Sequence, residues 1–388
     1  MLWHVVLNRR MQMIARYAQL ISHFRERILD GSLAAGSRLP TELELAAEHQ
    51  ISRGTVRQAM SALVNEGLLE RVRGRGTFVR PLLPIASSTL RAAERRIGLV
   101  LAHSSGSQLD LDILIGVEHA AKSRGYQVSF AYAEESLEEL DRDIARLRAD
   151  NVAGMIIFPV SDATYDESIW RLAADRVPFV LVDRYFPDLD SDYVVADNQG
   201  GGYRATEHLL ILGHRRIGFI YSSKGSLLTT SVRDRWQGYR QALLEYGQLY
   251  DEQLVFQWPD RLNSDPVGAS DHLLLREGGP SAIFAVSDAM ALDLLQAAQR
   301  VGLHVPEELA LVGFDDLSFA AHLSPPLTTV AQPRMDIGLR AGHLLINRIE
   351  GHGNLPRHID LPTSLIVRES CGARLRVRRQ NTTPALAT

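Results

Sequence analysis

Two groups of side chains in this sequence have types and spacings suited to recognition chemistry. The first begins at Ser52, whose hydroxyl is placed to cap a helix by accepting from a backbone amide two or three residues on. If Val56, Ala59, Met60 and Leu63 face a core, then Arg53, Arg57 and Ser61 point away from it. An arginine fork matches the two major-groove acceptors of guanine, and the free amides at a helix start can hold a phosphate. Downstream, Arg71, Arg73 and Arg75 alternate with Val72 and Gly74, and Gly76 follows. A basic tip that is slim at its glycines suits insertion of Arg75 into a minor groove. A protein-binding module with a solvated charged face is the alternative. The capped helix, outward arginines and basic hairpin in one short unit favour a polyanion.

The second group is polar residues placed directly after apolar runs. Ser104 and Ser105 follow Leu99–Ala102, and Asp183 follows Phe179–Val182. Ser287 and Asp288 follow Ala282–Val286, and Asp315 and Asp316 follow Leu311–Phe314. Arg235 opens a helical segment ending at Tyr246. In open α/β sheets ligands bind at the carboxyl ends of strands. Carboxylates, hydroxyls and a bidentate donor converging there would suit a polyhydroxylated ligand, whose buried hydroxyls need both donors and acceptors. Tyr185 or Trp258 could cover the apolar face of a sugar ring. Other readings stand beside these. Asp288 precedes Ala289-Met-Ala-Leu and suits a helix cap; Arg235 and Arg233 suit surface ion pairs; Trp258 suits a core; Asp197-Asn198 suits a hinge or a helix start.

Signatures of catalysis are missing. There is no Gly-x-Ser-x-Gly elbow, no His-Glu-x-x-His and no Gly-Lys-Ser phosphate loop, and the histidines are scattered. His208 and His214 flank a predicted helix end, where capping or surface roles outrank ligation. No catalytic residue, metal site or cofactor is therefore expected.

The elements that must position these groups fall into two patterns. Ile14, Tyr17, Ala18, Ile21, Phe24, Ile28 and Leu29 recur at helical spacing up to Gly31. A second helix opens at Leu39-Pro-Thr-Glu and a third at Ser52, ending near Gly67; short strands over 68–72 and 77–80 form a hairpin. Paired prolines and small polar residues over 81–89 read as a linker. From Arg96 onward, apolar strands (97–101, 128–132, 154–158, 179–182, 217–221, 282–286, 310–313) alternate with helices near 112–124, 137–149, 165–175, 199–212, 233–246, 267–276 and 289–301. That rhythm predicts parallel sheets with crossover helices, and its length predicts two of them. The fold class is thus α/β, with a small helical, hairpin-closed domain over 14–81, a linker over 82–95 and a two-lobed domain over 96–374.

Charge follows the same division. Residues 1–80 carry 12 basic against 7 acidic side chains, and the remainder 30 against 39. A basic head on an acidic body predicts that the head alone meets a polyanion. Cys371 is the single cysteine, which excludes an intrachain disulfide and fits a reducing cytoplasm. No apolar run approaches a membrane span, and the N-terminal apolar run is followed rather than preceded by its arginines, unlike a signal peptide.

Residues 14–81 resemble the GntR family of winged helix-turn-helix regulators in Leu39-Pro-Thr-Glu, Ser52-Arg-Gly-Thr-Val-Arg57 and Gly74-Arg-Gly-Thr-Phe78. The resemblance implies that Ser52, Arg53, Gly54, Thr55 and Arg57 line a major groove and that Gly74 to Gly76 form the wing. Many members have a basic residue where Leu43 stands. Residues 96–372 resemble the effector domain of the LacI/GalR family, itself similar to periplasmic sugar-binding proteins. The matching stretches include Val182-Asp-Arg, Asp197-Asn, Arg235-Trp-Gln-Gly-Tyr, Ser287-Asp-Ala-Met-Ala, Val312-Gly-Phe-Asp-Asp and Ser324-Pro-Pro-Leu-Thr-Thr-Val. This implies effector contacts from Asp183, Arg235, Ser287 and Asp315, with the loop from Ser104 to Asp110 closing the cleft. Ser107-Gln-Leu-Asp110 stands where relatives often have Asn-Pro-Phe-Phe, and Ser287 where Asn is common.

The fusion resembles the arabinose-responsive repressors. The expected protein is a homodimeric repressor released from double-stranded operator DNA by a sugar, with crossovers near Val195, Thr328–Gln332 and Asp360 as hinges. The alternatives are an activator or corepressor-dependent regulator, a sugar-modifying enzyme with a DNA-binding head, and a secreted binding protein.

Overall fold

A capping box opens the first fully described helix, because Thr41 and Glu44 satisfy each other's backbone amides. Thr41 N donates to Glu44 Oε2 at 2.7 Å and Glu44 N to Thr41 Oγ1 at 3.3 Å. The computed structural model describes residues 20–21, 23–25, 27–28, 33–34, 36–49, 51–65, 68–72, 76–79, 95–102, 108–222, 227–258, 274–275, 278–352 and 355–373. Its contacts separate two units, Met1–Thr89 and Leu90–Thr388.

In the first unit, α1 (Glu42–Glu48) and α2 (Arg53–Asn65) precede an antiparallel hairpin of β1 (Leu69–Val72) and β2 (Gly76–Val79). Leu20, Phe24 and Ile28 on a preceding helical stretch close a core with Leu45, Val56, Ala59, Met60, Leu63, Leu69 and Val79. The apolar face predicted for the third helix is the one buried. Of the predicted linker, only Arg95 lies within the described residues.

The second unit holds two six-stranded sheets. The first contains β3 (Arg96–Leu101), β4 (Gln127–Tyr132), β5 (Met155–Phe158), β6 (Phe179–Val182), β7 (Asp192–Ala196) and β13 (His358–Leu361). Its order is β13-β7-β6-β5-β3-β4 and all its pairs are parallel. Helices α3 (Gln108–Ser123), α4 (Leu137–Ala149), α5 (Glu167–Ala174) and α9 (Arg334–Ile349) belong to this lobe. The second sheet contains β8 (Ile217–Ser222), β9 (Val255–Trp258), β10 (Ala282–Ala285), β11 (Ala310–Asp315), β12 (Thr328–Ala331) and β14 (Ser364–Ile366). Its order is β14-β12-β11-β10-β8-β9, with only the β12–β14 pair antiparallel. It carries α6 (Asn198–Ile211), α7 (Thr230–Glu245) and α8 (Asp288–Arg300). Each sheet has an apolar cluster on both faces, which explains why strands such as Met-Ile-Ile-Phe and Ala-Ile-Phe-Ala are apolar throughout.

The chain crosses between lobes three times: at Asp197 between β7 and α6, at 332–333 between β12 and α9, and at 362–363 between β13 and β14. Helix α9 was not expected from the sequence, because Gly338 and Gly342 weaken its helical pattern. Packing explains them. A Cβ at Gly338 would lie 2.1 Å from the Ile113 carbonyl oxygen, and one at Gly116 would lie 2.1 Å from that of Met335. The backbones of α3 and α9 therefore touch where side chains would hold them apart. Of the helix expected near 267–276, Leu274 and Leu275 are described, and both are helical. No helix among the described residues is long and apolar enough to cross a membrane.

Candidate functional site

In the first unit, Ser52 holds the start of α2. Its Oγ accepts from Thr55 N at 3.1 Å and lies 2.8 Å from Thr55 Oγ1. Thr55 is only 4% exposed, so its hydroxyl is folded against Ser52 and does not line a surface as the family pattern implied. Arg53 and Gly54 are exposed, and a Cβ at Gly54 would meet nothing nearer than Ser52 Oγ at 3.7 Å. Arg57 extends from the same helix, and its Nε donates to Glu42 Oε2 at 3.1 Å. The guanidinium side chain is 62% exposed, so this pair adds little stability but sets the direction of the arginine across α1. Leu43 on α1 is also exposed, presenting an apolar surface beside Glu42.

Gly76 sits at φ +119°, and a Cβ there would approach Arg38 Nε to 3.0 Å. Arg38 is thereby placed beside the first residue of β2, through the bridge between Arg38 and Phe78. Sequence reasoning missed this exposed cation, because only the pairing of distant segments brings it to the hairpin. Arg73, Gly74 and Arg75 lie outside the described residues.

The second unit gathers several predicted residues at the carboxyl ends of its strands. Arg235, on the first turns of α7, is buried and held by two hydrogen bonds: Nε donates to Asn198 Oδ1 at 2.8 Å and Nη1 to the Val286 carbonyl at 2.6 Å. Its guanidinium carbon lies 3.7 Å from the centroid of the Phe314 ring, and Nη2 stands 3.9 Å from Asp315 Oδ1. Burial lowers the Arg235 pKa, opposed by the charges of Asp315 and Asp183. Asp315 ends β11 at φ +115° and accepts from Gln332 Nε2 at 2.6 Å. Burial raises its pKa against the pull of Arg235 and the Gln332 bond.

Asp183 follows β6 at φ +66° and is buried. It pairs with Arg184 Nε at 3.3 Å; Arg184 Nη1 donates to Ser161 Oγ at 2.5 Å, and Ser161 Oγ donates to Glu135 Oε1 at 2.9 Å. A polar chain thus crosses the ends of β4, β5 and β6. Asn198, Gln332, Ser161 and Arg184 were not singled out from the sequence as site groups; the first three meet partners from other segments of the chain, and Arg184 joins its neighbour Asp183 to Ser161.

Other expected residues sit differently. Ser287 caps α8, its Oγ accepting from Met290 N at 3.2 Å, which leaves its hydroxyl proton to donate. Asp288 is fully buried and structural: it accepts from Thr329 Oγ1 at 2.5 Å and from Leu317 N at 2.8 Å. Burial, then the charge of Asp315, raises its pKa. Trp258 ends the edge strand β9 but is only 5% exposed, packed in the apolar cluster with Ile220, Leu274 and Met290, as the core alternative anticipated. Asp110 is buried in the first turn of α3, where its charge reinforces the rise that burial imposes on Tyr132. Ser104 lies outside the described residues. His208 meets Cys371 Sγ at 3.2 Å and His214 meets Ser281 Oγ at 3.0 Å. Among the described residues, no group of three or more His, Cys, Asp or Glu is arranged to hold a metal ion.

The lobes also clasp each other at the N-terminal end of α7. Tyr185 N donates to Thr230 Oγ1 at 3.0 Å, and the Tyr185 hydroxyl donates to Asp234 Oδ2 at 3.2 Å while accepting from Arg233 Nη2 at 3.0 Å. Asp162 N donates to Thr229 Oγ1 at 3.0 Å. Burial, then Asp234, pushes the Tyr185 pKa up to about 12, so this hydroxyl stays protonated.

A helix-turn-helix unit with a basic hairpin, followed by two Rossmann-like lobes around a polar cleft, defines a ligand-sensing DNA-binding regulator. Residues 16–79 match the bacterial regulatory proteins of the gntR family, and residues 206–371 match the periplasmic binding protein-like domain. The HTH-type transcriptional regulator CelR of Thermobifida fusca is 33% identical over 86% of this chain and 98% of its own. The arabinose metabolism transcriptional repressor of Geobacillus stearothermophilus is 28% identical over 87% of this chain and 92% of its own. The solved complex of transcriptional regulator CelR with cellobiose matches with a TM-score of 0.64 at 31% identity, covering 86% of this chain and all of that one. The chain belongs to the bacterial transcriptional regulators that join a gene-regulatory helix-turn-helix head to a periplasmic-binding-protein-like sensor.

Proposed function

We propose that this protein is a repressor that leaves its operator when an uncharged sugar enters the cleft of its sensor. Residues 14–81 read the DNA, 82–95 connect, and 96–374 sense the ligand and form the dimer. The observation that carries this reading is the 3.9 Å separation of Arg235 Nη2 from Asp315 Oδ1, too long for a hydrogen bond between them. A sugar hydroxyl can span it, accepting from the guanidinium while donating to the carboxylate. Asp183 and the proton of the Ser287 hydroxyl add further partners. The guanidinium of Arg184 already meets Asp183, and that of Arg235 faces Asp315, so an anionic ligand would have to displace a carboxylate. The relatives support the ligand class, since one is named for arabinose metabolism and another is solved with cellobiose.

The protein performs no chemistry on the sugar. Binding closes the lobes about the crossings at 197, 332–333 and 362–363, and closure changes the spacing of two heads on a pseudopalindromic site in a cytoplasmic dimer. The sugar must prefer the released arrangement for this to lower DNA affinity.

A thermal-shift screen of the full chain tests the reading with arabinose, ribose, glucose, cellobiose, glucuronate and glucose 6-phosphate. A ligand present at about 100 times its Kd adds about 2.7 kcal/mol and raises Tm by several degrees. The expected hit is a neutral sugar whose shift falls by about half or more in Asp315→Asn. A flat panel removes the sugar reading, and a hit confined to the anions removes its uncharged character.

A further inference from the structure

We propose that Arg334 is the positioning residue that ties the effector-site turn of one lobe to helix α3 of the other, an inference that rests on the sugar-responsive reading above. Arg334 is the first residue of α9, immediately after the lobe crossing at 332–333. Its guanidinium is nine-tenths buried and faces both lobes. Nε donates to Asp112 Oδ2 on α3 at 2.8 Å. Nη1 donates to the carbonyl of Asp315, and Nη2 to that of Asp316 at 3.4 Å.

The turn it holds is an unusual one. Asp315 and Asp316 both have positive φ, +115° and +54°, a conformation that non-glycine residues keep only when their surroundings impose it. Leu317 N is held by Asp288 at 2.8 Å, and the Asp316 carboxylate by Arg368 at 2.7 Å. Asp288 and Arg368 belong to the turn's own lobe, whereas Arg334 and Asp112 belong to the opposite one. A ligand that moves the Asp315 carboxylate therefore pulls on carbonyls whose hydrogen-bond donor is anchored across the cleft.

Helix packing makes that pull mechanical. A Cβ at Gly338 or at Gly116 would strike the facing helix backbone at 2.1 Å, and one at Gly342 would strike Ala120 Cβ at 2.5 Å. Helices in such direct contact move as one block. Helix α3 follows β3, and β3 is the first strand after the connector to the head. The route runs from Asp315 through Arg334 and Asp112 to α3.

Asp112 transmits but does not touch the sugar, so Asp112→Asn separates coupling from binding. The full-length protein is titrated onto a duplex selected from a random library, with and without saturating arabinose or cellobiose, and sugar affinity is measured by calorimetry. A coupled regulator loses about 5- to 150-fold in operator affinity on binding its effector. In Asp112→Asn that loss falls to about twofold or less, sugar Kd moves less than about threefold, and Asp112→Glu restores the response. Wild-type release in Asp112→Asn, or loss of sugar affinity in parallel with release, overturns the coupling role. A wild type that binds none of arabinose, ribose, glucose and cellobiose overturns the sugar-responsive reading, and the inference with it.

Discussion

The Arg235 guanidinium stops 3.9 Å short of the Asp315 carboxylate, although both side chains are almost completely enclosed. Three directions of the arginine are occupied: Asn198 takes Nε, the Val286 carbonyl takes Nη1 and the Phe314 ring covers one face. Gln332 in turn holds the acceptor of Asp315. Two opposite charges are thus held apart by their own partners, leaving one gap where a hydroxyl completes both.

That arrangement predicts the behaviour of Asp315→Asn. The amide oxygen can still accept from Gln332, so the sugar-free protein folds, but the charge-assisted bond to the ligand is lost. Sugar binding weakens by about 1.5–3 kcal/mol, read by calorimetry. Unchanged affinity would place the ligand elsewhere in the cleft.

Arg235→Ala behaves differently, because the arginine is also a structural donor. Asn198 Oδ1 and the Val286 carbonyl lose their partner inside the lobe, at a cost of about 1–3 kcal/mol each if left unsatisfied. Melting of the sugar-free protein falls and the sugar shift disappears together. A sugar-free Tm equal to the wild type would contradict the structural half of this assignment.

For the head, Arg57→Ala weakens binding to the selected duplex by about 1–3 kcal/mol and relaxes preference at one base pair. Glu42→Ala frees the same guanidinium from its 3.1 Å contact and strengthens binding. Competition assays against single-base variants of the duplex read both effects, and a uniform loss across all variants would make Arg57 a phosphate contact.

Gly338→Ala places a methyl group 2.1 Å from the Ile113 carbonyl oxygen, which forces α3 and α9 apart. Overpacking of this kind costs about 1–3 kcal/mol. The urea midpoint falls with little change in slope. A neutral substitution would show that the helices separate freely, contrary to their motion as one block.

Burial lowers the His208 pKa, with the charge of His214 adding to the effect. The folded imidazole therefore binds a proton less readily than the unfolded one. Its contribution to stability is full above the unfolded pKa, about 6.5, and is lost as pH falls through the folded value. Between pH 7.5 and 5 the wild type loses stability relative to His208→Gln, whose amide retains a partner for Cys371. Parallel pH profiles would assign the acid sensitivity to other groups.

The residue order alone determined the division into a basic head and an acidic two-lobed body. Ser52 with its outward arginines, and apolar runs ending in Asp183, Ser287 or Asp315, are local patterns that any chain passing through them must express. The buried strands were legible because both faces of each are covered, which makes them apolar throughout. β7, β9, β12, β13 and β14 were not, being short or more mixed in polarity, and α9 was hidden by the glycines that let it touch α3. Only tertiary structure decided that Thr55 turns inward, that Trp258 belongs to the core and that Arg38 lies beside Gly76. It also decided the partners of the cleft. Arg235 meets Asn198 from 37 residues away, and Arg334 meets Asp112 from 222 residues away. Such pairs carry no spacing signal: Asn198 and Arg235 lie on two different helices of one lobe, and the chain crosses between lobes twice between Asp112 and Arg334.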